Sequence, residues 1–565
     1  MGKRDLLTAI IVRAMIAKGH SDIRRMHRNT VDAGKKNEKL LFDILRANRT
    51  SEYGRRYNFE GIKSVEEFRR TVPLTTFSDY EDYVVRMIDG HETNLVTTHK
   101  IVGYAQSSGT VGSRKFVPLT QPEVDVYTSN TITRMLASAD DYSKKHYGHG
   151  IRPARGMFTA PSFDDVLPDG TPCSNIADVV AKQFGFIYPY VLSIPFKKMF
   201  NEAEAESKYV NSRFALEDRN TLFIFAIFFR EIAAYLDYLK KNWQTLVDDI
   251  EHGTISDLAM ATPEAAAKMQ KYIRPLPERA AELRAEFEKG FDETIIKRIW
   301  PNMSVISGIG TSTFTPFAKR ARQNTKGVPF DFNLYGASEG LMAAADELET
   351  GRQLMLIDSC YYEFMPVDEE TDESDESNIL SINELEVGRN YEIIITNQSG
   401  LYRYRCGDVV KVVDYLNECP YIVFSYRKGQ LLNITGEKTT EEHMAAVVKE
   451  LGKLAGCTVT DWAARNVIDE HPYYYELIIE NKEGMDLSGY AEEAHRILCE
   501  VNPRYMYFTA IEGMGNLRIR NQKPGSHKEW ADALVASGRP VTQVKPVRII
   551  DSPEKEDFFL SRITD

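Results

Sequence analysis

Residues 107–115 read SSGTVGSRK. Ser107, Ser108 and Thr110 offer hydroxyl groups, Gly109 and Gly112 let the backbone curl toward a ligand, and Lys115 supplies a point charge. These are the parts of a phosphate-holding loop. The GK[ST] ending of the common P-loop is missing. Taken alone, the stretch also reads as an ordinary Ser/Gly turn ahead of a helix. A short strand, HKIVGYAQ, leads into it, and a helix over roughly 121–138, opened by Gln121-Pro122, follows. Strand, glycine loop, helix is the order that presents backbone N–H groups to an anion.

Two later turns carry similar chemistry. YGASEG (335–340) follows a strand and joins an aromatic, two glycines, a hydroxyl and an acid. Glu339 is a candidate Mg²⁺ ligand, because that ion takes hard oxygens and needs only one or two carboxylates beside phosphates. The plainer reading makes Ser338 a helix cap with Glu339 in the first turn. In YRYRCGDVV (402–410), Asp408 stands directly after Gly407, between strands. A carboxylate there can accept from two vicinal hydroxyls, as a ribose presents them. Alone it is equally a Gly-Asp hairpin turn.

The chain has 565 residues, which predicts several domains, or one large domain with an appendage. Its 43% hydrophobic and 27% charged shares are those of a soluble globular protein. A net charge of -12 argues against a nucleic-acid backbone or an anionic membrane as the main partner. The six cysteines form no CxxC pair, which points to free thiols in a reducing, cytoplasmic compartment. The basic start MGKRDLLTAIIVRAMIAKGH lacks a long apolar stretch and a small-residue cleavage site, so it is not read as a signal peptide. The most apolar run, LFIFAIFF (222–229), is stopped by Arg230 and Glu231. It is too short to span a bilayer and is expected as a buried helix segment.

Residues 1–60 carry helical spacing, and so do 200–300, with Pro breaks at 263, 275 and 277. SVISGIGTS (304–312) reads as a strand plus a Gly-rich turn. EIIITN (392–397) and VVKVVDY (409–415) read as strands flanking a tight turn. From about residue 430 short strands and helices alternate as an α+β cap, with a helix entered at Thr439 or Thr440.

In this order and over this span, SGTxGxxK, YGxSE and YRxGD resemble the motif series of adenylate-forming enzymes. Further stretches narrow the likeness. TSEYGRRYNFEGIKSVEEFRRTVPLTTFSDYEDYVVRMIDG, GLYRYRCGDVV, RKGQLLNITGEKTTEEH and the tail GRPVTQVKPVR resemble the auxin-responsive acyl acid–amido synthetase family. The resemblance runs from about residue 38 to 550. It implies an α/β fold: a large N-terminal adenylate-forming domain of β-sheets and barrel flanked by helices (1–427), and a smaller mobile α+β C-terminal domain (428–565). It also implies ATP and Mg²⁺ as cofactors and a small carboxylic acid and an amine, typically an amino acid, as substrates.

Residue by residue, the resemblance assigns Ser107, Ser108, Gly109, Thr110, Gly112 and Lys115 to the triphosphate tail and Glu339 to Mg²⁺. Tyr335, Gly336 and Ser338, with the Gly308–Thr311 backbone, would border adenine, and Asp408 would fix the ribose. Arg427, Lys428 and Gly429 match the hinge. Lys545 matches the late lysine that reaches the reacting carboxylate and the α-phosphate. The acid pocket is expected between the helix after the opening loop and the strands near 157–190, with Tyr127, Phe158 and Tyr188 as walls. One departure stands out. The family's loop is one residue longer before its second glycine, and here Val111 and Arg114 replace a common hydroxyl and a common proline. An acyl-CoA ligase, or a nucleotide-binding relative without turnover, shares most of these features.

Overall fold

The computed structural model describes residues 3–108, 114–159, 166–174, 176, 179–180, 186–195, 204–259, 262–311, 314–367, 371–372, 375–428, 432–511, 513–536 and 546–564. The chain forms two compact units, Met1–Ser425 and Tyr426–Asp565. No described helix is long and apolar enough to cross a membrane.

The larger unit opens with helices α1 (Lys3–Asn29), α2 (Ala33–Asn48), α3 (Glu52–Arg56), α4 (Val65–Thr71) and α5 (Glu81–Ile88). Strands β1 (Ile101–Ser108) and β2 (Arg114–Thr120) then enclose the opening loop. They pair antiparallel, with Ser107 opposite Lys115. Helices α6 (Gln121–Asn130) and α7 (Ile132–Tyr147) follow. The strand β1 is therefore followed by a paired strand β2 and not by the expected helix, which comes one strand later. The missed strand does not alternate, because residues 117–120 are all buried. Pro118 further argues against a strand in the sequence, yet it is tolerated because β2 is an edge strand of the sheet β2-β1-β4, β4 being Cys173–Ser174.

LFIFAIFF is a strand, not a helix, up to Phe228; its last residue, Phe229, opens the next helix. The run forms β5 (Phe223–Phe228) in a parallel sheet ordered β3-β5-β6-β7, with β3 Met157–Phe158, β6 Val305–Ile309 and β7 Phe330–Asp331. Such a strand is buried on both faces and shows no alternation, so its periodicity cannot separate it from a buried helix. The buried Arg134 of α7 braces this sheet with a two-point ion pair to Asp331, 2.9 and 3.2 Å, which also accepts from Ser307 at 2.7 Å.

A seven-stranded sheet completes the unit. Its strands are β8 (Leu334–Ala337), β9 (Gly340–Ala344), β10 (Gln353–Met355), β11 (Tyr361–Pro366), β12 (Asn390–Thr396), β13 (Tyr404–Leu416) and β14 (Cys419–Arg427), in the order β11-β12-β13-β14-β10-β9-β8. One core cluster joins α2, the 53–87 stretch and this sheet.

The smaller unit is α+β. Strands β15 (Val459–Val467), β16 (Tyr474–Asn481) and β17 (Arg518–Gln522) form a sheet with β16 in the centre. Helix Glu441–Ala455 starts where the sequence placed it: the Thr440 hydroxyl accepts from the His443 N–H at 3.2 Å, and Glu441 and Glu442 occupy the first turn.

Candidate active site

The long N-terminal stretch that carried the family likeness builds the floor beneath residues 402–405. Tyr53 stacks on Tyr402 with ring centres 4.9 Å apart. Tyr80 accepts from the Tyr402 N–H at 2.8 Å, and Thr75 donates to the Tyr402 carbonyl at 2.7 Å. Thr75 also pairs along the backbone with Arg403 and Arg405. Arg403 adopts a left-handed φ of 44°. Its buried guanidinium meets Glu363 at 3.1 Å, and Glu363 in turn takes Arg69 of α4 at 3.0 Å. A buried, doubly paired carboxylate of this kind fixes chain geometry, because removing one partner leaves an uncompensated charge.

On this floor the strand β13 carries Asp408. The residue was expected in a turn; it lies inside a continuous strand instead. Pairing with β12 runs from Arg405 opposite Ile394 to Val409 opposite Glu392. Cys406, Gly407 and Asp408 thus span the single position of Ile393 as a bulge. Gly407 makes the bulge possible with φ 73°, a conformation costly for residues with a Cβ.

The bulge aims Asp408 at the hairpin β8–β9. The Tyr335 hydroxyl donates to Asp408 Oδ2 at 3.0 Å. Both are buried, at 7% and 5% exposure. Ser338 and Glu339 form the tip of this hairpin and not the start of a helix. The Glu339 carboxylate accepts from the Tyr404 hydroxyl at 3.2 Å, and its backbone carbonyl accepts from Asn397 Nδ2 at 2.7 Å. The Ser399 hydroxyl, in the same loop as Asn397, contacts Thr120 Oγ1 at the junction of β2 and α6 at 3.1 Å. The end of the opening hairpin, the β8–β9 tip and the bulged strand are thereby tied together.

Helix α6 adds two residues beneath the tip. Tyr127 donates to the Ala337 carbonyl at 2.5 Å. Glu123 is fully enclosed, accepts from the Leu341 N–H at 3.4 Å, and burial pushes its pKa up to about 8. The folded chain therefore holds this proton between pH 4.5 and about 8, where an unfolded chain has lost it. Its contribution to stability is full below the lower value and fades as pH rises through the upper one. Glu123→Gln is thus expected to stabilise the protein relative to wild type far more near pH 8 than near pH 5, by up to about 1.4 kcal/mol per pH unit. Thermal melting at the two pH values checks this; an equal difference at both would contradict it.

Beside the tip lies a cavity of about 660 Å³ with an almost wholly apolar lining. Gly336, Ala337 and Ser338 border it, and so do Tyr127, Phe158 and Tyr188, the three residues expected around the acid. The volume suits a small organic ligand. Of the other expected residues, Gly308 sits in β6 next to Ile309, which also lines the cavity, and Thr311 follows that strand. The Lys115 ammonium lies over the Phe77 ring, 5.3 Å from its centre. Arg427 ends β14 and Lys428 follows it. Gly109, Thr110, Gly112, Gly429 and Lys545 lie outside the described residues. The sequence reading missed Tyr404, Asn397 and Glu123. Tyr404 stood within a motif it did identify; Asn397 and Glu123 had no local signal, since their partners are over fifty residues away.

This is the fold of an acyl acid amido synthetase. The solved structure of AtGH3.15 acyl acid amido synthetase in complex with 2,4-DB matches with a TM-score of 0.63 at 22% identity, over 97% of this chain and 96% of that one. Residues 22–330 match the GH3 family N-terminal domain, 353–427 its central domain and 441–554 its C-terminal domain. The chain belongs to the GH3 family. Similar relatives include indole-3-acetic acid-amido synthetase GH3.8 of Oryza sativa subsp. indica, 27% identical over 93% of this chain and 90% of that protein. Jasmonoyl–L-amino acid synthetase GH3.5 of Oryza sativa subsp. japonica is 27% identical over 94% of this chain and 95% of that protein.

Proposed function

We propose that this protein is an ATP-dependent acyl acid–amido synthetase. A carboxylate oxygen attacks the α-phosphorus of ATP, the bond to the β-phosphate breaks, and acyl-adenylate and pyrophosphate form. An amine nitrogen then attacks the acyl carbon, AMP leaves, and the nitrogen gives up its proton to yield the amide. An amino acid is the acceptor class that the name of the jasmonoyl–L-amino acid synthetase carries. The observation that supports this reading best is one short hairpin. It carries Tyr335 bonded to Asp408, then Gly336–Ser338 on the apolar cavity, then the Glu339 carboxylate. Nucleotide-holding groups and an acid-sized space thus meet within five residues.

In this reading Asp408, steered by Tyr335, takes the ribose hydroxyls. Ser107, Ser108, Thr110 and Lys115 hold the triphosphate tail. Attack of an anion on a polyanion gains mainly from positioning and charge stabilisation, which these groups supply. Glu339 suits Mg²⁺, because Tyr404 engages one carboxylate oxygen, and among the described residues Glu339 belongs to no group of three or more metal-ligating side chains. That is a site for an ion arriving with phosphates, since one or two carboxylates suffice there. Bound Mg²⁺ would neutralise phosphate charge. Lys545 would reach the reacting carboxylate, and Arg427, Lys428 and Gly429 would be the hinge on which the smaller domain, 428–565, moves between the half-reactions. The six free cysteines support a reducing, cytoplasmic setting.

The test is a screen of carboxylic acids against amino acids, with pyrophosphate release as the readout and products identified by mass. An amide and AMP are expected. A thioester formed only with coenzyme A would make the protein an acyl-CoA ligase instead. Nucleotide binding without any pyrophosphate release would make it a binding protein.

A further inference from the structure

The apolar cavity has a wall that none of the motif turns supplies. Ile11, Ala14, Met15 and Lys18 of α1 line it. Their spacing is one face of a helix. Lys18 contributes its hydrocarbon stem, because its ammonium is taken by Asp22 at 2.8 Å and approaches Ser129 Oγ at 3.4 Å.

Helix α1 is fastened along its length. Arg4 donates to the carbonyls of Pro189, Leu192 and Ser193 at 2.8, 3.3 and 3.2 Å. That holds its start to the segment that brings Tyr188, Val191 and Leu192 to the same cavity. Further along, a Cβ on Gly19 would lie 2.0 Å from the Thr133 carbonyl oxygen, so only glycine lets α1 lie flush on α7. His20 closes the contact, 3.3 Å from oxygens of both Asp140 and Asp141. Two hydroxyls on the cavity wall are spent on backbone, Thr128 donating to the Val124 carbonyl of its own helix at 2.9 Å and Thr133 of α7 to the Ser129 carbonyl of α6 at 3.3 Å, and the surface of the lining is almost wholly apolar. The wall therefore offers a ligand hydrocarbon and little else. The α1 row also precedes residue 22, where the family match begins.

We propose that α1 is a specificity wall of the acid site. Ile11, Ala14 and Met15 set the size of the body the acid carries, and the site takes monocarboxylic acids with uncharged hydrocarbon bodies, a second buried charge being too costly. This inference rests on the acid-activating function proposed above.

The test uses the full chain and two variants, Ala14→Trp to narrow the wall and Met15→Ala to widen it. Pyrophosphate release is measured with straight-chain acids from butanoic to dodecanoic, with phenyl-terminated acids from benzoic to phenylhexanoic, and with the matching diacids. Ala14→Trp is expected to shift the kcat/KM ratio of long to short acids downward by about tenfold or more, through KM, and Met15→Ala to shift it upward. Diacids are expected to be at least about a hundredfold poorer than monoacids of equal length. A uniform fall for all acids, an unchanged length profile in both variants, or equal use of diacids would overturn the proposal. If the unaltered protein releases no pyrophosphate with any acid, the acid-activating reading itself fails, and this inference falls with it.

Discussion

Asp408→Ala is expected to abolish acyl-adenylate formation, lowering its kcat/KM by about a hundredfold to ten-thousandfold. Each hydrogen bond to a charged group contributes about 1.5–3 kcal/mol, and the proposed role gives Asp408 two ribose hydroxyls to hold. The substitution also strips Tyr335 of the partner that receives its hydroxyl at 3.0 Å, in a place where both side chains are buried. Tyr335→Phe separates the two effects. It keeps the carboxylate and removes only the group that steers it, so a loss of about tenfold is expected. The assay is acid-dependent pyrophosphate release, with melting temperature as the control for folding. Full activity in Asp408→Ala would remove the nucleotide assignment.

Glu339→Gln has the second largest expected effect. The amide keeps the shape of the side chain and can still accept from Tyr404, which donates to the carboxylate at 3.2 Å. Only the charge is lost. The Mg²⁺ concentration for half-maximal rate is therefore expected to rise about tenfold or more, and the rate at saturating Mg²⁺ to fall by about tenfold to a hundredfold. Tyr404→Phe leaves the charge in place and is expected to shift the Mg²⁺ titration by no more than about threefold. A Glu339→Gln protein with an unaltered Mg²⁺ titration would show that the ion is held elsewhere.

Much of the candidate site is legible in the sequence, because its residues sit in short motifs that keep their order. Tyr335, Glu339 and Asp408 were named from YGASEG and YRYRCGD, and the structure brings Tyr335 and Asp408 within hydrogen-bond distance across 73 positions. Their setting was not legible. Ser338 and Glu339 satisfy the rule for a helix start, and only pairing of β8 with β9 makes them a hairpin tip. Gly407-Asp408 satisfies the rule for a turn, and only the slip against β12 makes it a bulge. The β5 run carries no period because both of its faces are buried. Tertiary pairing decided each case, and a local pattern does not contain it.

The two least visible contributors are those with long-range partners. Glu123 follows a proline in a polar-looking helix start, and nothing local shows that it ends up enclosed under Leu341. Helix α1 reads as an amphipathic helix near the start of the chain. Its role at the cavity depends on Arg4 reaching the 189–193 carbonyls and on the close approach at Gly19.

The proposed function rests on the formation of acyl-adenylates. Exchange of labelled pyrophosphate into ATP measures that step alone, without any need to know the amine. With a panel of apolar monocarboxylic acids and Mg²⁺, exchange is expected to depend on the acid and to disappear in Asp408→Ala. Exchange that proceeds equally without acid, or none with any acid in a folded, ATP-binding protein, would contradict the claim.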